Sequence, residues 1–218
     1  MSSEKVTIID YQLGNLFSVL QACETIGFNV QISSKKKDIE NSAALILPGV
    51  GAFAEAMNHL KDLGLIDPIK QHVQNNKPLL GICLGQQLLF EESEEFGDTK
   101  GLGLVPGSIR KFRTSNTSSK MRVPHIGWNQ IVTGAENTWE NTPLSDIKEG
   151  SFMYFVHSYY VVPKSDDVIC SITEYEGVSF CSSVHYNSIF STQFHPEKSG
   201  DLGLSIYRNW GLQHKLIK

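Results

Sequence analysis

One short segment combines a nucleophilic side chain with the small residues that would expose it. Residues 81–85 read Gly-Ile-Cys-Leu-Gly, follow an apolar run and precede an amphipathic one. This G-x-C-x-G pattern is the nucleophile elbow, a sharp strand-to-helix turn that needs small residues two positions before and after the nucleophile. The start of a helix also favours the thiolate form of a cysteine. We therefore predict that Cys83 is a nucleophile and that the Leu84 backbone N–H can donate to an oxyanion. The alternative is a cysteine buried in the core.

A second short segment offers a base for that thiol. Residues 194–197 read Phe-His-Pro-Glu at the end of a predicted strand. Residues two apart in an extended segment project to the same side, so Glu197 can bond one imidazole nitrogen of His195 while the other faces sulfur. A thiol nucleophile needs a base and a third group that orients the base. With the elbow, these residues predict a Cys-His-Glu triad; alone, the segment could simply end a strand and cap the following helix.

The remaining cysteines and histidines do not form a metal-binding pattern. Cys23 lies on a predicted helix face, and Cys170 and Cys181 lie in apolar β-runs, so core packing accounts for all three. Metal-ligand spacing is also missing from the other histidines, which are His59, His72, His125, His157, His185 and His214. We predict no metal site and no cofactor.

A glycine-rich turn at residues 48–54 allows two interpretations. It reads Pro-Gly-Val-Gly-Ala-Phe-Ala after a predicted strand, which superficially matches the turn of dinucleotide-binding proteins. Against that interpretation, the turn follows the third predicted strand instead of the first. In addition, Asp67, the acidic residue at a suitable distance, begins a helix instead of ending a strand. The other interpretation is that backbone N–H groups of the turn face an oxyanion.

The first half of the chain alternates short apolar runs with longer amphipathic ones, as βαβ units do. Apolar residues recur at helical spacing over residues 15–26, and Gly27 is placed to end that helix. Strands are predicted at residues 6–9, 28–32, 43–47 and 79–82. Helical sequence broken around Gly64 and Pro68 lies between the last two strands.

The second half is richer in β-runs and predicts a different kind of pairing. The runs cover residues 126–133, 152–162, 168–175, 179–185 and 189–194. They indicate antiparallel or mixed strands added to the sheet. A last helix is predicted at about residues 202–214, and a polar loop is predicted at residues 115–120. We therefore expect an α/β fold in three layers, with a mostly parallel central sheet and helices on both faces, as one domain over residues 1–218.

Composition and charge exclude several classes of protein. The chain has 218 residues, of which 40% are hydrophobic and 19% charged, so it can bury a core. A formal net charge of -4 argues against a nucleic-acid partner, and the lysine run at residues 35–37 is interpreted as a solvated turn. No stretch resembles a signal peptide or reaches membrane-spanning length, so no membrane partner is expected. Cysteines without pairing spacing favour a reduced, cytoplasmic setting.

Six segments together carry a resemblance to a known family. They are Tyr-Gln-Leu-Gly-Asn-Leu-Phe-Ser-Val at 11–19, Pro-Gly-Val-Gly-Ala-Phe at 48–53, Gly-Ile-Cys-Leu-Gly at 81–85, Pro-His-Ile-Gly-Trp-Asn at 124–129, Tyr-Phe-Val-His-Ser-Tyr at 154–159 and Gln-Phe-His-Pro-Glu-Lys-Ser at 193–199. The order of the glycine turn, the elbow and the His-Pro-Glu end resembles that of the class I (triad) glutamine amidotransferases. Within that class the chain is similar, over essentially its whole length, to the glutaminase subunits of imidazole glycerol phosphate synthase.

The resemblance implies an activity, the hydrolysis of glutamine to glutamate and ammonia. Cys83 would form a glutamyl thioester, His195 would shuttle the proton, and water would later release glutamate. Gly51 and Leu84 would frame the oxyanion hole, with Val50 beside them. The residues implied to hold the glutamine backbone groups are Gln87, Glu95, His157, Ser158 and Tyr159.

The resemblance also implies a partner, a (β/α)8 cyclase subunit with which the chain would form a heterodimer. Ammonia would pass to that subunit, which makes imidazole glycerol phosphate and an aminoimidazole carboxamide ribonucleotide in histidine biosynthesis. The positions implied at the interface are Asn15, Pro124, Trp128, Tyr154 and Lys198. From their residue types alone, Trp128 and Tyr154 could equally be core aromatics.

Two alternatives and one departure from the family pattern stay open. The chain could be the glutaminase of a different synthase, such as an anthranilate or sugar-amidating enzyme, or it could be a non-catalytic binding subunit that keeps the fold. The departure is Gln86, which stands directly after the elbow glycine where the family commonly has methionine. We expect Gln86 on the outer face of its helix.

Overall fold

The apolar runs of the first half form four parallel strands in a computed structural model, which describes residues 4–113, 121–134 and 138–218. The strands are β1 (Lys5–Ile9), β2 (Asn29–Ser33), β3 (Ala44–Gly49) and β4 (Leu79–Cys83). They lie in the order β2-β1-β3-β4. Every residue of β3 and β4 is buried, as expected for central strands covered on both faces.

Helices cover both faces of this sheet, so the predicted three-layer α/β fold is confirmed. They are α1 (Leu16–Ile26), α2 (Lys36–Glu40), α3 (Phe53–Asp62), α4 (Ile66–Gln74), α5 (Leu84–Leu88) and α6 (Gly200–Gln213). One core contains the inner faces of α1 and α6, and the other contains those of α2 to α5. Among the helices of the described residues, none combines the length and apolarity that crossing a membrane would need.

The second half extends the sheet with mostly antiparallel strands, as predicted. They are β5 (Glu92–Ser93), β6 (Thr99–Lys100), β7 (Gly107–Lys111), β8 (His125–Thr133), β9 (Ser151–His157), β10 (Tyr159–Pro163), β11 (Ile169–Tyr175), β12 (Val178–Tyr186) and β13 (Ile189–Thr192). The sheet continues from β4 in the order β13-β12-β10-β7-β5-β6. A branch through β11 leads to the antiparallel β8–β9 pair, which we call the β8–β9 ribbon.

Three details of the sequence-based prediction are wrong or incomplete. The β-run at residues 152–162 is two strands, because the chain bends at Ser158: β9 pairs with β8, whereas β10 pairs with β7 and β12. The lysines at residues 35–37 are exposed, but they open helix α2 instead of forming a turn, since Ile39 of that helix packs into the core. Strands β5 to β7 were not predicted. The polar loop expected at residues 115–120 lies outside the described residues.

Three strands end together at one edge of the sheet. The parallel register aligns Gly49 of β3 with Cys83 of β4, and Ile82 of β4 with Thr192 of β13. The carboxyl ends of neighbouring parallel strands are where α/β proteins collect functional groups. The glycine turn, the elbow and the His-Pro-Glu segment therefore start from the same place.

Candidate active site

Cys83 occupies a strained turn between β4 and α5. Its φ is 55° and its ψ is -111°, a left-handed backbone conformation that non-glycine residues rarely adopt. A Cβ atom on Gly85 would lie 1.7 Å from the Leu47 carbonyl oxygen, and one on Gly81 would lie 2.9 Å from the Leu89 side chain. The two glycines of the elbow are therefore required by close packing on either side of the cysteine.

His195 and Glu197 form a buried pair. Nδ1 of His195 lies 2.7 Å from Oε1 of Glu197, and the exposed fractions of the two side chains are 3% and 1%. The His195 backbone N–H donates to the Tyr154 carbonyl of β9 at 2.9 Å, and the Ser199 hydroxyl donates to the His195 carbonyl at 2.7 Å. The backbone of His195 is thus held through both its N–H and its carbonyl, and the Glu197 carboxylate orients the imidazole through Nδ1.

The charge balance of the pair favours a protonated imidazole. Burial acts to lower the pKa of His195, but the Cys83 thiolate and the hydrogen-bonded Glu197 carboxylate together raise it to about 10. Nε2 of His195 is buried and makes no hydrogen bond of ordinary geometry within the described residues. The sulfur is nevertheless close enough for its charge to raise the His195 pKa. The arrangement therefore places a protonated imidazole beside the sulfur of Cys83.

Cys83 opens into a cavity of about 310 Å³. The residues that line it are Val50, Gly51, Cys83, Leu84, Gln87, Glu95, Pro124, Val156, His157, Ser158 and Tyr159. All the residues predicted for the oxyanion hole and for substrate binding are in this set. Gly51 has a φ of 100°, which only glycine adopts without strain, so the glycine turn and the elbow face the same cavity.

Two of the predicted binding side chains are positioned by hydrogen bonds to other groups of the protein. A carboxylate oxygen of Glu95 accepts the Phe53 backbone N–H at 2.6 Å at the start of α3. The Gln87 amide nitrogen donates to the Tyr159 carbonyl at 3.0 Å and to the Gln193 side-chain oxygen at 2.9 Å. Both donors of the Gln87 amide are therefore used within the protein, and its oxygen is the atom left to bind a ligand.

Two neutral histidines support the opposite wall of the cavity. Nδ1 of His157 lies 2.8 Å from the Tyr159 carbonyl, and Nε2 of His157 lies 3.0 Å from Nδ1 of His125. Burial lowers the pKa of His157 to about 3 and that of His125 to about 4. Because a carbonyl can only accept, His157 donates through Nδ1 and accepts from His125 through Nε2.

The positions implied at the partner interface fall into three groups. Trp128 and Tyr154 face each other across the β8–β9 ribbon with ring centroids 6.0 Å apart, and Lys198 Nζ lies 5.9 Å from the Tyr154 ring centroid. Trp128 is 55% exposed, so it is not a core aromatic. Pro124 lines the cavity. Asn15 caps α1, because its side-chain oxygen accepts the Ser18 N–H at 3.4 Å.

Three residues at the site were missed by the sequence analysis. Gln193 is fully buried and donates to the Cys83 sulfur at 3.7 Å, the Val156 carbonyl lies 3.9 Å from the same sulfur, and His125 supports His157. The rule that residues two apart project to the same side, which linked His195 and Glu197, extends to Gln193. No comparable signal marks Val156 or His125, because their roles depend on how the β8–β9 ribbon folds over the sheet.

The expectation for Gln86 is wrong. Gln86 is 0% exposed, because its short helix α5 lies beneath Ser191 and against Gly81 and is buried on every side. Its amide nitrogen donates to the Ser191 carbonyl at 3.4 Å, and its side-chain oxygen has no hydrogen-bond partner among the described residues. A buried, half-satisfied amide stands where an apolar side chain would cost less free energy.

The other three cysteines lie in the core, as predicted. Burial raises the pKa of Cys170 to about 11 and raises the pKa values of Cys23 and Cys181 further. None of them forms a disulfide. They are inert thiols at neutral pH, which distinguishes them from Cys83 at the cavity.

Comparison with known proteins adds independent information. A family model described as "Glutamine amidotransferase class-I" matches residues 7–213. The imidazole glycerol phosphate synthase subunit HisH of Geobacillus kaustophilus is 46% identical over 206 residues, a match that covers 94% of this chain and 95% of that protein. The protein of the same name from Aquifex aeolicus is 42% identical over 210 residues, with 94% and 95% covered.

Solved structures show the same fold at low sequence identity. PurLQS from Thermotoga maritima matches with a TM-score of 0.71 and 18% identity, covering 95% of this chain and 97% of that one. The glutaminase domain of Trypanosoma brucei CTPS matches with a TM-score of 0.64 and 16% identity, covering 96% and 94%. At this identity the likeness concerns the fold alone.

Proposed function

Because this chain belongs to the class-I glutamine amidotransferase family, we propose that Cys83, His195 and Glu197 are the residues with which it hydrolyses glutamine. Its relatives at 40 to 46% identity indicate that it is the glutaminase subunit of imidazole glycerol phosphate synthase, in histidine biosynthesis. One observation carries the assignment of the residues: the thiol at the strained elbow opens into a cavity, and a buried His195–Glu197 pair stands behind it.

The first half of the reaction uses the thiolate and the imidazolium. Sγ of Cys83 attacks the side-chain amide carbon of glutamine, a C–S bond forms, and the carbonyl oxygen becomes an oxyanion. Gly51 and Leu84 line the cavity, and their backbone N–H groups would stabilise that charge. When the C–N bond breaks, His195 gives its proton to the leaving nitrogen, and ammonia and a glutamyl thioester result.

The second half restores the starting state. Neutral His195 takes a proton from water as the water oxygen attacks the thioester carbon. The tetrahedral intermediate collapses, the C–S bond breaks and Cys83 returns to the thiolate. The product forms as the side-chain carboxylic acid, which releases its proton to solvent and leaves as glutamate. The proton stays on His195, whose pKa of about 10 suits it to hold one beside the sulfur. Glu197 keeps Nδ1 protonated and the ring oriented through both halves.

The cavity also carries groups suited to the charged end of glutamine. The Glu95 carboxylate can pair with the substrate ammonium, and the free oxygen of the Gln87 amide can accept a hydrogen bond from it. Residues 157–159 line the same space. Glutamine would thus be held at its amino-acid end while its amide reaches the sulfur.

The decisive experiment removes the sulfur. In Cys83→Ala, glutamate release from glutamine should fall by about a thousandfold or more, because the nucleophile is lost. The matched control is Cys181→Ala, which removes a core thiol and should keep the activity. Retained glutaminase activity in correctly folded Cys83→Ala would contradict the assignment. Loss of activity in both variants with unchanged folding would point to an indirect effect.

We further propose that the β8–β9 ribbon binds the partner, a (β/α)8 cyclase subunit. The outer face of the ribbon exposes large apolar side chains: Ile126 at 60%, Trp128 at 55% and Phe152 at 52%. Exposed apolar patches of this kind mark interaction surfaces. The ribbon also contacts the proposed catalytic base, because the Tyr154 carbonyl accepts the His195 backbone N–H. Docking on this face could therefore adjust the base.

The partner proposal is tested by co-purification and by one substitution. Trp128→Ala should weaken binding of the cyclase subunit by about 2 kcal/mol or more, as is common for a central aromatic anchor. The control is Leu212→Ala, an exposed apolar residue near the far end of α6. Equal affinity of both variants for the cyclase would exclude the ribbon as the docking face. Binding to an anthranilate or sugar-amidating synthase instead would identify a different acceptor.

The remaining parts of the proposal concern setting and organisation. Four free cysteines, all buried, fit a cytoplasmic location, and the net charge of -4 fits the expected lack of a nucleic-acid partner. We also propose that residues 1–218 act as one domain. Limited proteolysis followed by size-exclusion chromatography would contradict this if it released two separately folded fragments.

A further inference from the structure

A chain of hydrogen bonds inside the protein ends on the reacting sulfur. The last donor is the Gln193 amide, whose nitrogen lies 3.7 Å from Sγ of Cys83. The Gln193 side-chain oxygen accepts from the Gln87 amide nitrogen at 2.9 Å. Gln193 is 0% exposed and follows β13, two residues before His195. Neither the triad nor the substrate-binding group described above includes it.

The direction of this chain is fixed by a group that cannot reverse. The Tyr159 backbone carbonyl can only accept, so the Gln87 atom that lies 3.0 Å from it must be the amide nitrogen. The Gln193 atom facing that nitrogen must then be its oxygen, which turns the Gln193 NH2 group toward sulfur. His157, which donates to the same carbonyl and accepts from His125, extends the order of donors and acceptors into the β8–β9 ribbon.

We propose that Gln193 is a further catalytic residue, whose amide N–H stabilises the thiolate of Cys83. Gln87, through its bond to Gln193, is the positioning residue that holds this amide in the donating orientation. The proposal rests on the role of Cys83 as nucleophile and adds a neutral donor to it. A hydrogen bond to a charged acceptor contributes more than one to a neutral acceptor, and both groups are buried, so the amide favours the ionised sulfur over the thiol.

The competing explanation is structural. A buried amide needs hydrogen-bond partners, and sulfur could simply be the acceptor that the Gln193 amide finds in the core. The two explanations differ in what a substitution changes. A structural bond affects the free energy of unfolding alone, whereas a bond to the thiolate also changes the pH at which Cys83 becomes reactive.

The test measures the reactivity of the Cys83 sulfur directly. The rate of Cys83 alkylation by iodoacetamide is measured against pH in the whole chain, alongside glutamine hydrolysis. In Gln193→Leu, the midpoint of the alkylation profile should move upward by about one pH unit, a tenfold loss of thiolate below the midpoint. Gln193→Glu should move it further, because a carboxylate would face the thiolate. The ionisable groups around Cys83 that stay unchanged are Tyr11, Glu95, His157, Tyr159, His195 and Glu197.

The matched control is Gln86→Met, which alters a buried glutamine whose amide donates to the Ser191 carbonyl and, among the described residues, not to sulfur, so it should leave the profile and the activity unchanged. A folded Gln193→Leu variant with the wild-type alkylation midpoint would overturn the proposal. If that variant does not fold, the side-chain amide resonance of Gln193 in the wild-type protein replaces it. The chemical shift of that resonance should change with pH, with the same midpoint as the alkylation rate. A chemical shift that does not depend on pH would equally overturn the proposal.

The outcomes also separate this proposal from the assignment of the nucleophile. If Cys83→Ala keeps full activity, the triad assignment fails whatever Gln193 does. If Cys83→Ala is inactive and the Gln193→Leu midpoint is unchanged, the nucleophile stands and only the role of Gln193 is lost.

Discussion

His195 is held by Glu197 through a 2.7 Å hydrogen bond between Nδ1 and Oε1, and neither side chain is more than 3% exposed. Glu197→Gln keeps the size of the side chain but removes its charge. We expect kcat for glutamine hydrolysis to fall by about a thousandfold, because the imidazole loses its orientation and its counter-charge.

The same substitution should change the pH dependence in a defined direction. The carboxylate contributes to the raised pKa of His195, so its removal lowers that pKa and moves the alkaline limb of the kcat profile to lower pH. Steady-state kinetics from about pH 6 to about pH 10 would show it. A kcat within about twofold of wild type would contradict the role given to Glu197.

The neighbouring glutamines of α5 should respond oppositely to the same substitution. Gln86→Met removes a buried oxygen without a partner, so we expect the free energy of unfolding to stay the same or rise by about 1 kcal/mol. Gln87→Met removes two hydrogen bonds and should lower it by about 2 kcal/mol. Urea unfolding of both variants measures the difference. Equal loss of stability would show that the Gln86 oxygen finds a partner in solution.

Two histidines should make the protein sensitive to mild acid. Burial lowers the folded pKa values of His125 and His157 below the unfolded value of about 6.5, so only the unfolded chain takes up protons as pH falls below 6.5. Stability is therefore present above the unfolded pKa and declines from there toward the folded values. Each histidine should cost about 1 kcal/mol at about pH 5.5 relative to about pH 7.5.

His125→Gln isolates that contribution, because it keeps a side-chain donor for His157 and cannot titrate. The difference in urea-unfolding free energy between the two pH values should be smaller in this variant by about 1 kcal/mol. The same pH difference in variant and wild type would mean that folding does not lower the pKa of His125.

The elbow glycine should be far less replaceable than a glycine in open space. A Cβ on Gly85 would overlap the Leu47 carbonyl oxygen at 1.7 Å, so Gly85→Ala should lower the free energy of unfolding by about 3 kcal/mol or prevent folding. Gly103→Ala is the control, because its Cβ would meet nothing within 4 Å and only its positive φ adds strain, worth about 1 kcal/mol. Similar losses in both variants would show that the elbow backbone can shift.

The first half of the fold was predictable because its signals are local. An apolar run of strand length, followed by an amphipathic run and a glycine, specifies a βαβ unit without reference to the rest of the chain, and β1 to β4 are confirmed. The bend at Ser158 has no local signal. The β-run continues across it and predicts one strand, and β9 and β10 are distinguished only by the different strands with which they pair. Strands β5 and β6 have two residues each, too few for a period to register, and β7 reads Gly-Ser-Ile-Arg-Lys, which is not an apolar run.

The candidate site divides in the same way. A five-residue motif and the spacing of His195 and Glu197 pointed to groups that the structure places at one sheet edge. The buried environment of Gln86 and the bond from Gln193 to sulfur depend on packing between segments that are 105 and 110 residues apart in the chain. Periodicity describes which side of a helix a residue is on, and α5 has no solvent side.

The meeting of β3, β4 and β13 at one edge has a consequence for folding. Because β13 pairs directly with β4 but comes late in the chain, the imidazole and the sulfur can meet only after most of the polypeptide has been synthesised and β13 has inserted between β4 and β12. A nascent or half-folded chain would carry Cys83 as an ordinary thiol. Recovery of glutaminase activity during refolding would therefore time the insertion of that last central strand.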